Sequence, residues 1–165
     1  MPGAYTLGAC ILLVEDDGML RELILRNLEA RGHDVRVAED AHTALAHLRA
    51  TPFDLILLDI NLPDQTGWEV LRTAQKEGCL SPLELDGHAG PLPVVVLSAV
   101  RVSPSRLQEF HLLAYLPKPF PMEAILRLAK EVARRRNGEV VPEEEDAEEA
   151  EHSRISLPNE EDFYA

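Results

Sequence analysis

The sequence predicts an α/β fold: a doubly wound five-stranded parallel sheet with helices on both faces. Five short apolar runs alternate with stretches whose apolar residues recur at helical spacing. The third apolar run is almost uninterrupted, which is typical of a strand buried on both faces. Because crossovers between parallel strands are right-handed, the intervening helices should cover both sides of the sheet.

The first part of the chain contains three strand patterns, at 11–14, 34–37 and 54–59. The second alternates between apolar and polar residues, as a strand at or near a sheet edge does. Two helix patterns separate the strands, and a third covers 68–76 after a turn at 61–67 and stops near Gly78. Apolar residues at helical spacing mark the first two helices, and the first helix should stop by Gly32. These residues are Leu20, Leu23, Ile24 and Leu28 in the first helix and Ala44, Leu45 and Leu48 in the second.

The second part begins with residues 79–93, which contain three prolines and two glycines without periodicity and are interpreted as a long loop. Strands are expected at 94–98 and 114–116. A helix should begin at Ser103 and Pro104, with Leu107, Phe110 and Leu113 facing inward. A last helix should begin at Pro121 and bury one face, which contains Ile125, Leu126, Ala129 and Val132.

Charge is distributed unevenly along the 165 residues. The net charge of −13 argues against general affinity for nucleic acid or anionic membranes. Residues 137–165 contain 11 acidic residues and one basic residue, so we expect a lead-in at 1–9, a folded domain at 10–136 and an acidic tail at 137–165. Two cysteines are too few for a disulfide framework, and no leader or membrane-spanning run is present, so a cytoplasmic location is expected.

Polar side chains stand where the predicted strands end. Glu15 and Asp16 follow the first strand, Asp59 ends the third, and Ser98 and Lys118 follow the fourth and fifth. Since the carboxyl ends of parallel strands meet at one edge, these side chains should converge there. Three carboxylates together require a cation, for which Mg²⁺ is suited, and a lysine and a hydroxyl suit phosphoryl oxygens. The pattern predicts a magnesium-dependent phosphoryl site with a carboxylate as acceptor.

Four motifs carry a family resemblance: ILLVEDD, LILLDINLPDQTGWEVL, VVVLSAV and YLPKPF. In this order, over about residues 10–136, the chain resembles receiver domains of bacterial two-component response regulators, of the stand-alone, single-domain type with a flavodoxin-like receiver fold. The resemblance implies that Asp59 accepts a phosphoryl group from a histidine kinase or a histidine phosphotransfer protein. It also implies that the protein is not an enzyme, beyond assisting its own phosphorylation and dephosphorylation.

The resemblance extends to further residues, one by one. It implies that Glu15, Asp16 and Asp59 bind Mg²⁺ together with the main-chain carbonyl of Asn61. Lys118 matches the lysine that contacts a phosphoryl oxygen, and its bond to Pro119 matches one that is usually cis. Ser98 and Tyr115 match the pair of switch residues. The expected output face consists of helix 4, strand 5 and helix 5.

The expected function is therefore phosphorelay signalling through contact with an unknown downstream protein, without a DNA-binding output domain; whether the protein forms a homodimer stays open. The alternative is a receiver-like interaction module that acts independently of phosphorylation. An aspartyl-phosphate hydrolase is disfavoured because position 61 is Asn rather than an acid. Two features depart from the family pattern: the loop at 79–93 is long, and residues 110–115 lack the usual turn, so helix 4 is expected to be short or shifted.

Overall fold

The computed structural model describes residues 8–80, 91–110 and 112–138. Five parallel strands form one sheet in the order β2-β1-β3-β4-β5. The strands are β1 (Cys10–Val14), β2 (Asp34–Ala38), β3 (Leu55–Asp59), β4 (Val94–Ser98) and β5 (Leu112–Pro117). The helices are α1 (Gly18–Glu29), α2 (Ala41–Ala50), α3 (Gly67–Lys76), α4 (Pro104–Glu109) and α5 (Met122–Arg136). The predicted doubly wound α/β fold is confirmed.

The sheet separates two hydrophobic clusters because successive side chains of a strand point to opposite faces. On one face, Leu12 of β1 and Ile56 of β3 pack with α2 and α3. On the other face, Leu13 and Leu57 pack with α1 and α5. All five residues of β3 are buried, as predicted for a central strand, whereas β2 alternates in burial and lies at the sheet edge.

Helix α1 begins at a cap and leaves part of its apolar pattern exposed. The Asp17 carboxylate accepts hydrogen bonds from the N–H groups of Met19 and Leu20, which satisfies two donors at the helix start. Leu23 belongs to the helical spacing that marked this helix, yet 52% of it is exposed, and Met19 is 87% exposed. Helix α1 covers the sheet mainly through Ile24 and Leu28.

The start of α3 lies tightly against the end of β3. Thr66 and Glu69 form a reciprocal capping box, and the Gly67 N–H donates to the Ile60 carbonyl at 2.8 Å. A side chain at position 67 would place its Cβ 2.8 Å from the Asp59 carbonyl oxygen, so this close approach requires glycine. The tight turn holds the β3–α3 loop beside the end of β3.

The region of α4 and β5 differs from the predicted pattern. Helix α4 has only six residues, which confirms the expectation of a short helix 4. Leu113 was expected on this helix and instead lies in β5, where it is the extra residue in a register shift between Val94 and Val95 of β4. Phe110 already has an extended backbone, so the chain enters β5 earlier than its apolar spacing indicated.

Several sequence-based interpretations fall partly or wholly outside the described residues. Of the long loop at 79–93, the described ends lie close together, since the Leu92 N–H donates to the Leu80 carbonyl at 3.1 Å. Residues 81–90, most of the lead-in and residues 139–165 are not described, so the domain boundaries stay predictions. Among the helices that are described, none has the length and apolar character needed to cross a membrane.

Candidate functional site

Three carboxylates meet at the carboxyl ends of the adjacent strands β1 and β3. One oxygen each from Glu15, Asp16 and Asp59 lies within 4.8 Å of the others. Glu15 and Asp59 are buried, whereas Asp16 is exposed to solvent. The cluster therefore opens to water on one side only, and it stands where the order of the strands reverses direction, which is where ligands bind in such sheets.

Lys118 supplies the positive charge inside this cluster. Its Nζ lies 3.0 Å from Glu15 Oε1 and 3.2 Å from Asp59 Oδ2, donating a hydrogen bond to each. The Lys118 main-chain N–H donates to the Ser98 carbonyl at 2.8 Å, and the peptide bond to Pro119 is cis. Although burial favours the neutral amine, the hydrogen bonds and negative charge of Glu15 and Asp59 raise the pKa of Lys118. The lysine is therefore held in its charged form.

The charged form of Glu15 is disfavoured by its surroundings. Burial away from water raises its pKa to about 7, and the Asp59 carboxylate adds to this effect while Lys118 opposes it. Its Oε2 lies 2.9 Å from Lys118 Nζ, yet this buried oxygen accepts no hydrogen bond from any described residue. A buried carboxylate oxygen without a donor, beside two further carboxylates, suits a hard cation such as Mg²⁺. The residues present therefore fit the predicted metal.

Arg21 holds the loop that carries two of these acids, and sequence reasoning missed it. Its Nη1 donates to the Glu15 carbonyl at 3.0 Å and to the Asp16 carbonyl at 3.4 Å. The sequence signal for this contact was an arginine one turn into the helix that follows the acidic loop. Its targets are main-chain oxygens whose direction only the folded loop defines, so the sequence alone could not identify the contact.

The loop after β3 fixes the Asp59 carboxylate through a main-chain donor. The Asn61 N–H donates to Asp59 Oδ1 at 3.0 Å, so Lys118 and Asn61 engage different oxygens of the carboxylate. Further along the loop, the Asp64 carboxylate accepts from the N–H groups of Ala41 and His42 at the start of α2. The loop is thereby tied to a neighbouring helix. The role of the Asn61 carbonyl as a metal ligand stays a prediction.

Ser98 and Tyr115 are linked through the main chain of Val100. The Ser98 hydroxyl donates to the Val100 carbonyl at 2.8 Å, and the Tyr115 hydroxyl donates to the same oxygen at 3.2 Å. Both side chains are buried. Among the described residues, the Ser98 hydroxyl makes no hydrogen bond to Asp59 or Lys118. The two predicted switch residues therefore share an acceptor on the β4–α4 loop, a position that sequence reasoning did not single out.

A mainly apolar groove of about 670 Å³ lies directly beside the carboxylate cluster. One wall is the exposed part of α1, including Met19 and Leu23, and the other is the turn after β5, with Lys118, Pro119 and Phe120. The exposed apolar side chains of α1 thus stand next to the charged site rather than in the core.

Comparison with known proteins gives a consistent family match. Residues 11–130 match the family model of the response regulator receiver domain. The response regulator MprA of Mycobacterium tuberculosis is 33% identical over 127 residues, which cover 76% of this chain and 50% of MprA. The sensor histidine kinase AruS of Pseudomonas aeruginosa is 34% identical over 134 residues, covering 79% of this chain and 13% of AruS. The chain thus spans half or less of these curated relatives.

The fold also resembles a solved receiver domain that contains a metal. The receiver domain of the sensor histidine kinase PA1611 from Pseudomonas aeruginosa has a magnesium ion coordinated in its active-site cleft. It is 26% identical to this chain with a TM-score of 0.62, and the match covers 76% of this chain and 98% of that one.

Proposed function

Because this chain belongs to the response regulator receiver domain family, we propose that it is a phosphoacceptor of a two-component or phosphorelay system, phosphorylated on Asp59 with Mg²⁺. One observation carries the proposal: three carboxylates and Lys118 surround the end of β3, with Lys118 hydrogen-bonded to Asp59. An aspartate that only capped a turn would not need a lysine and two further acids beside it.

In the proposed reaction, an Asp59 carboxylate oxygen attacks phosphorus in line with the leaving group. The new O–P bond forms as the P–N bond of a phosphohistidine breaks, and the imidazole leaves. The Asn61 N–H orients the carboxylate, and the Lys118 ammonium offsets negative charge on a phosphoryl oxygen. Glu15, Asp16 and Asp59 would hold Mg²⁺, which, when bound, neutralises further phosphoryl charge.

The apolar groove beside the site supports a protein as the phosphodonor. A helix bearing a phosphohistidine needs apolar contacts close to the acceptor, and Met19 and Leu23 offer them next to Lys118. Leu23 is half exposed and Met19 almost fully so, which leaves both apolar side chains open to contact with a partner. This favours a histidine kinase or a phosphotransfer protein, and hence a cytoplasmic setting.

The proposed output is a change in protein contacts. An acyl phosphate adds charge at Asp59, and the sequence predicts Ser98, whose hydroxyl donates a hydrogen bond to the Val100 carbonyl, as a switch residue. Its movement would leave Tyr115 and Val100 to rearrange together, since both hydroxyls share the Val100 carbonyl. The downstream partner is proposed to be a protein because residues 137–165 are overwhelmingly acidic, unlike a DNA-binding module.

The test is intact-mass spectrometry after incubation with a small-molecule phosphodonor and Mg²⁺. We expect a gain of one phosphoryl group that is lost when EDTA is included and absent in Asp59→Asn. Glu22→Gln is the matched control, since Glu22 is an exposed acid of α1 that pairs only with Arg26 among the described residues.

Two results would count against the proposal. Equal labelling of Asp59→Asn would mean that another side chain is the acceptor. No labelling with several small donors, and none with purified histidine kinases, would favour the interaction module that acts independently of phosphorylation. In that case Asp59→Asn should leave binding to partner proteins unchanged.

A further inference from the structure

A second groove runs along one side of α5, from Glu123 in its first turn to Asn137 at its end, and reaches the end of the sheet opposite Asp59. It has a volume of about 610 Å³ and lies between the end of α1 and one side of α5. Gly8 and His33, which precede β1 and β2, form one wall, and the buried side chains of Leu126 and Ala133 form part of the floor. None of its lining residues belongs to the carboxylate cluster, and Lys118 is not among them, so this groove is separate from the proposed phosphorylation site.

The groove is strongly basic. Four of its lining residues are cationic, namely Arg31, Arg127, Lys130 and Arg134, and one, Glu123, is acidic. Across the part of the chain that the structure describes, Arg31, Arg127 and Lys130 form no ion pair. Four exposed arginines elsewhere do pair with glutamates: Arg26, Arg49, Arg72 and Arg135. Positive charge is therefore concentrated in a groove in a chain whose net charge is negative.

The chain leaves α5 at the rim of this groove. Asn137, the last groove residue along the chain, caps α5, and Gly138 follows with a φ of 71°, which ends the helix. Residues 143–151 then contain seven acidic residues and no basic one. Five residues lie between Asn137 and Glu143, so even a fully extended connection spans at most roughly 20 Å. Such a short tether gives an effective concentration on the order of millimolar.

We infer that the acidic segment at residues 143–151 docks in cis on the basic groove between α1 and α5. Charge complementarity and the short tether favour this occupant over a free acidic partner, which would have to displace a segment already held nearby. Nucleic acid is disfavoured because the same seven acids would repel it. Docking would cover the groove and place the negative segment against α5.

Zero-length carbodiimide cross-linking on the full chain tests this directly, because it joins a carboxylate to an amine in contact. The chain has only three lysines: Lys76 on α3, Lys118 in the carboxylate cluster and Lys130 in the groove. We expect peptides that link Lys130 to residues 143–151, with Lys76 as the internal control since it is also exposed. Mixing unlabelled with ¹⁵N-labelled protein separates links within one copy from links between two.

Groove variants distinguish specific docking from mere proximity along the chain. Arg31→Gln with Arg127→Gln leaves Lys130 in place but removes two groove charges, so the Lys130 link should fall severalfold. Arg26→Gln with Arg49→Gln removes the same charge from exposed positions outside the groove and should leave the link unchanged. Raising NaCl to about 0.5 M should also weaken it, because salt screens exposed charges.

Three results would overturn the inference. One is a Lys130 link that the groove variant does not weaken. Another is an equal yield of links from Lys76 and Lys130 to the acidic segment. The third is a predominance of mixed-isotope links, which would identify a second copy of the chain as the occupant.

Discussion

Replacing Glu15 with Gln should stabilise the metal-free protein at neutral and basic pH. Glu15 is completely buried, and its pKa is raised from 4.5 to about 7 despite contact with Lys118. In the unfolded chain the same carboxyl group ionises near 4.5 at no such cost. Gln resembles the protonated carboxyl in size and polarity, so Glu15→Gln removes the charge that the folded state holds unfavourably.

The magnitude follows from linkage. Between pH 4.5 and 7 the folded state binds a proton at Glu15 that the unfolded state has released, so the free energy of unfolding falls as pH rises through this window. A shift of about 2.5 pKa units corresponds to about 3 kcal/mol. Glu15→Gln should therefore match the wild type near pH 4.5 and exceed its unfolding free energy by about 3 kcal/mol at pH 8.

Urea unfolding in EDTA, followed by the fluorescence of the single tryptophan, measures this difference. Trp68 is buried and stacked on Phe110, so its emission reports on loss of tertiary structure. Titrating groups remote from Glu15 are common to both proteins and cancel in the difference, and Lys118, whose pKa is raised, stays charged across this pH range. Adding Mg²⁺ should stabilise the wild type more than the variant, since ligands that bind the folded state raise its stability. Parallel pH profiles for the two proteins in EDTA would refute the reasoning.

Three further predictions concern groups outside the carboxylate cluster. Burial lowers the pKa of His33, whose neutral Nδ1 accepts a hydrogen bond from the Ala9 N–H. The free energy of unfolding should therefore fall as pH drops below about 6.5, because the unfolded chain binds the proton more readily. In urea titrations, His33→Asn should flatten this pH dependence. Asp64→Ala should lower the urea midpoint because it removes the acceptor for two N–H groups of α2. Asp64→Asn keeps one acceptor oxygen and should lower the midpoint less. Phe110→Ala should cost about 3 to 5 kcal/mol and shift Trp68 emission to longer wavelength; a loss below about 1 kcal/mol would contradict the packing described.

Much of the fold was predictable because local patterns and tertiary packing agree. The apolar run at 54–59 indicated a central strand, and β3 is indeed buried along its whole length between β1 and β4. The alternation at 34–37 indicated an edge strand, and β2 is one. Site residues were also accessible to sequence reasoning, because an acid or lysine directly after an apolar run must lie at a strand end.

The prediction failed where neighbouring elements decide the conformation. Leu113 fits helical spacing with Leu107 and Phe110, yet pairing with β4 draws it into β5 as the residue of a register shift. Helical spacing marked Leu23 as part of α1 without deciding whether it is buried, and Ile24 and Leu28 fill the space over the sheet instead. In both cases the periodicity is present in the sequence, and competition from other parts of the chain determines which residues are buried.

The contacts that organise the site act largely through main-chain atoms, and this explains why sequence motifs did not reveal them. Arg21 binds the carbonyls of Glu15 and Asp16, and Ser98 and Tyr115 share the carbonyl of Val100. Every residue carries a carbonyl, so nothing in the identity of position 100 marks it as an acceptor. The side chains that carry the proposed chemistry can therefore be predicted from their residue types, whereas the atoms that position them depend on loop geometry, which only the folded chain defines.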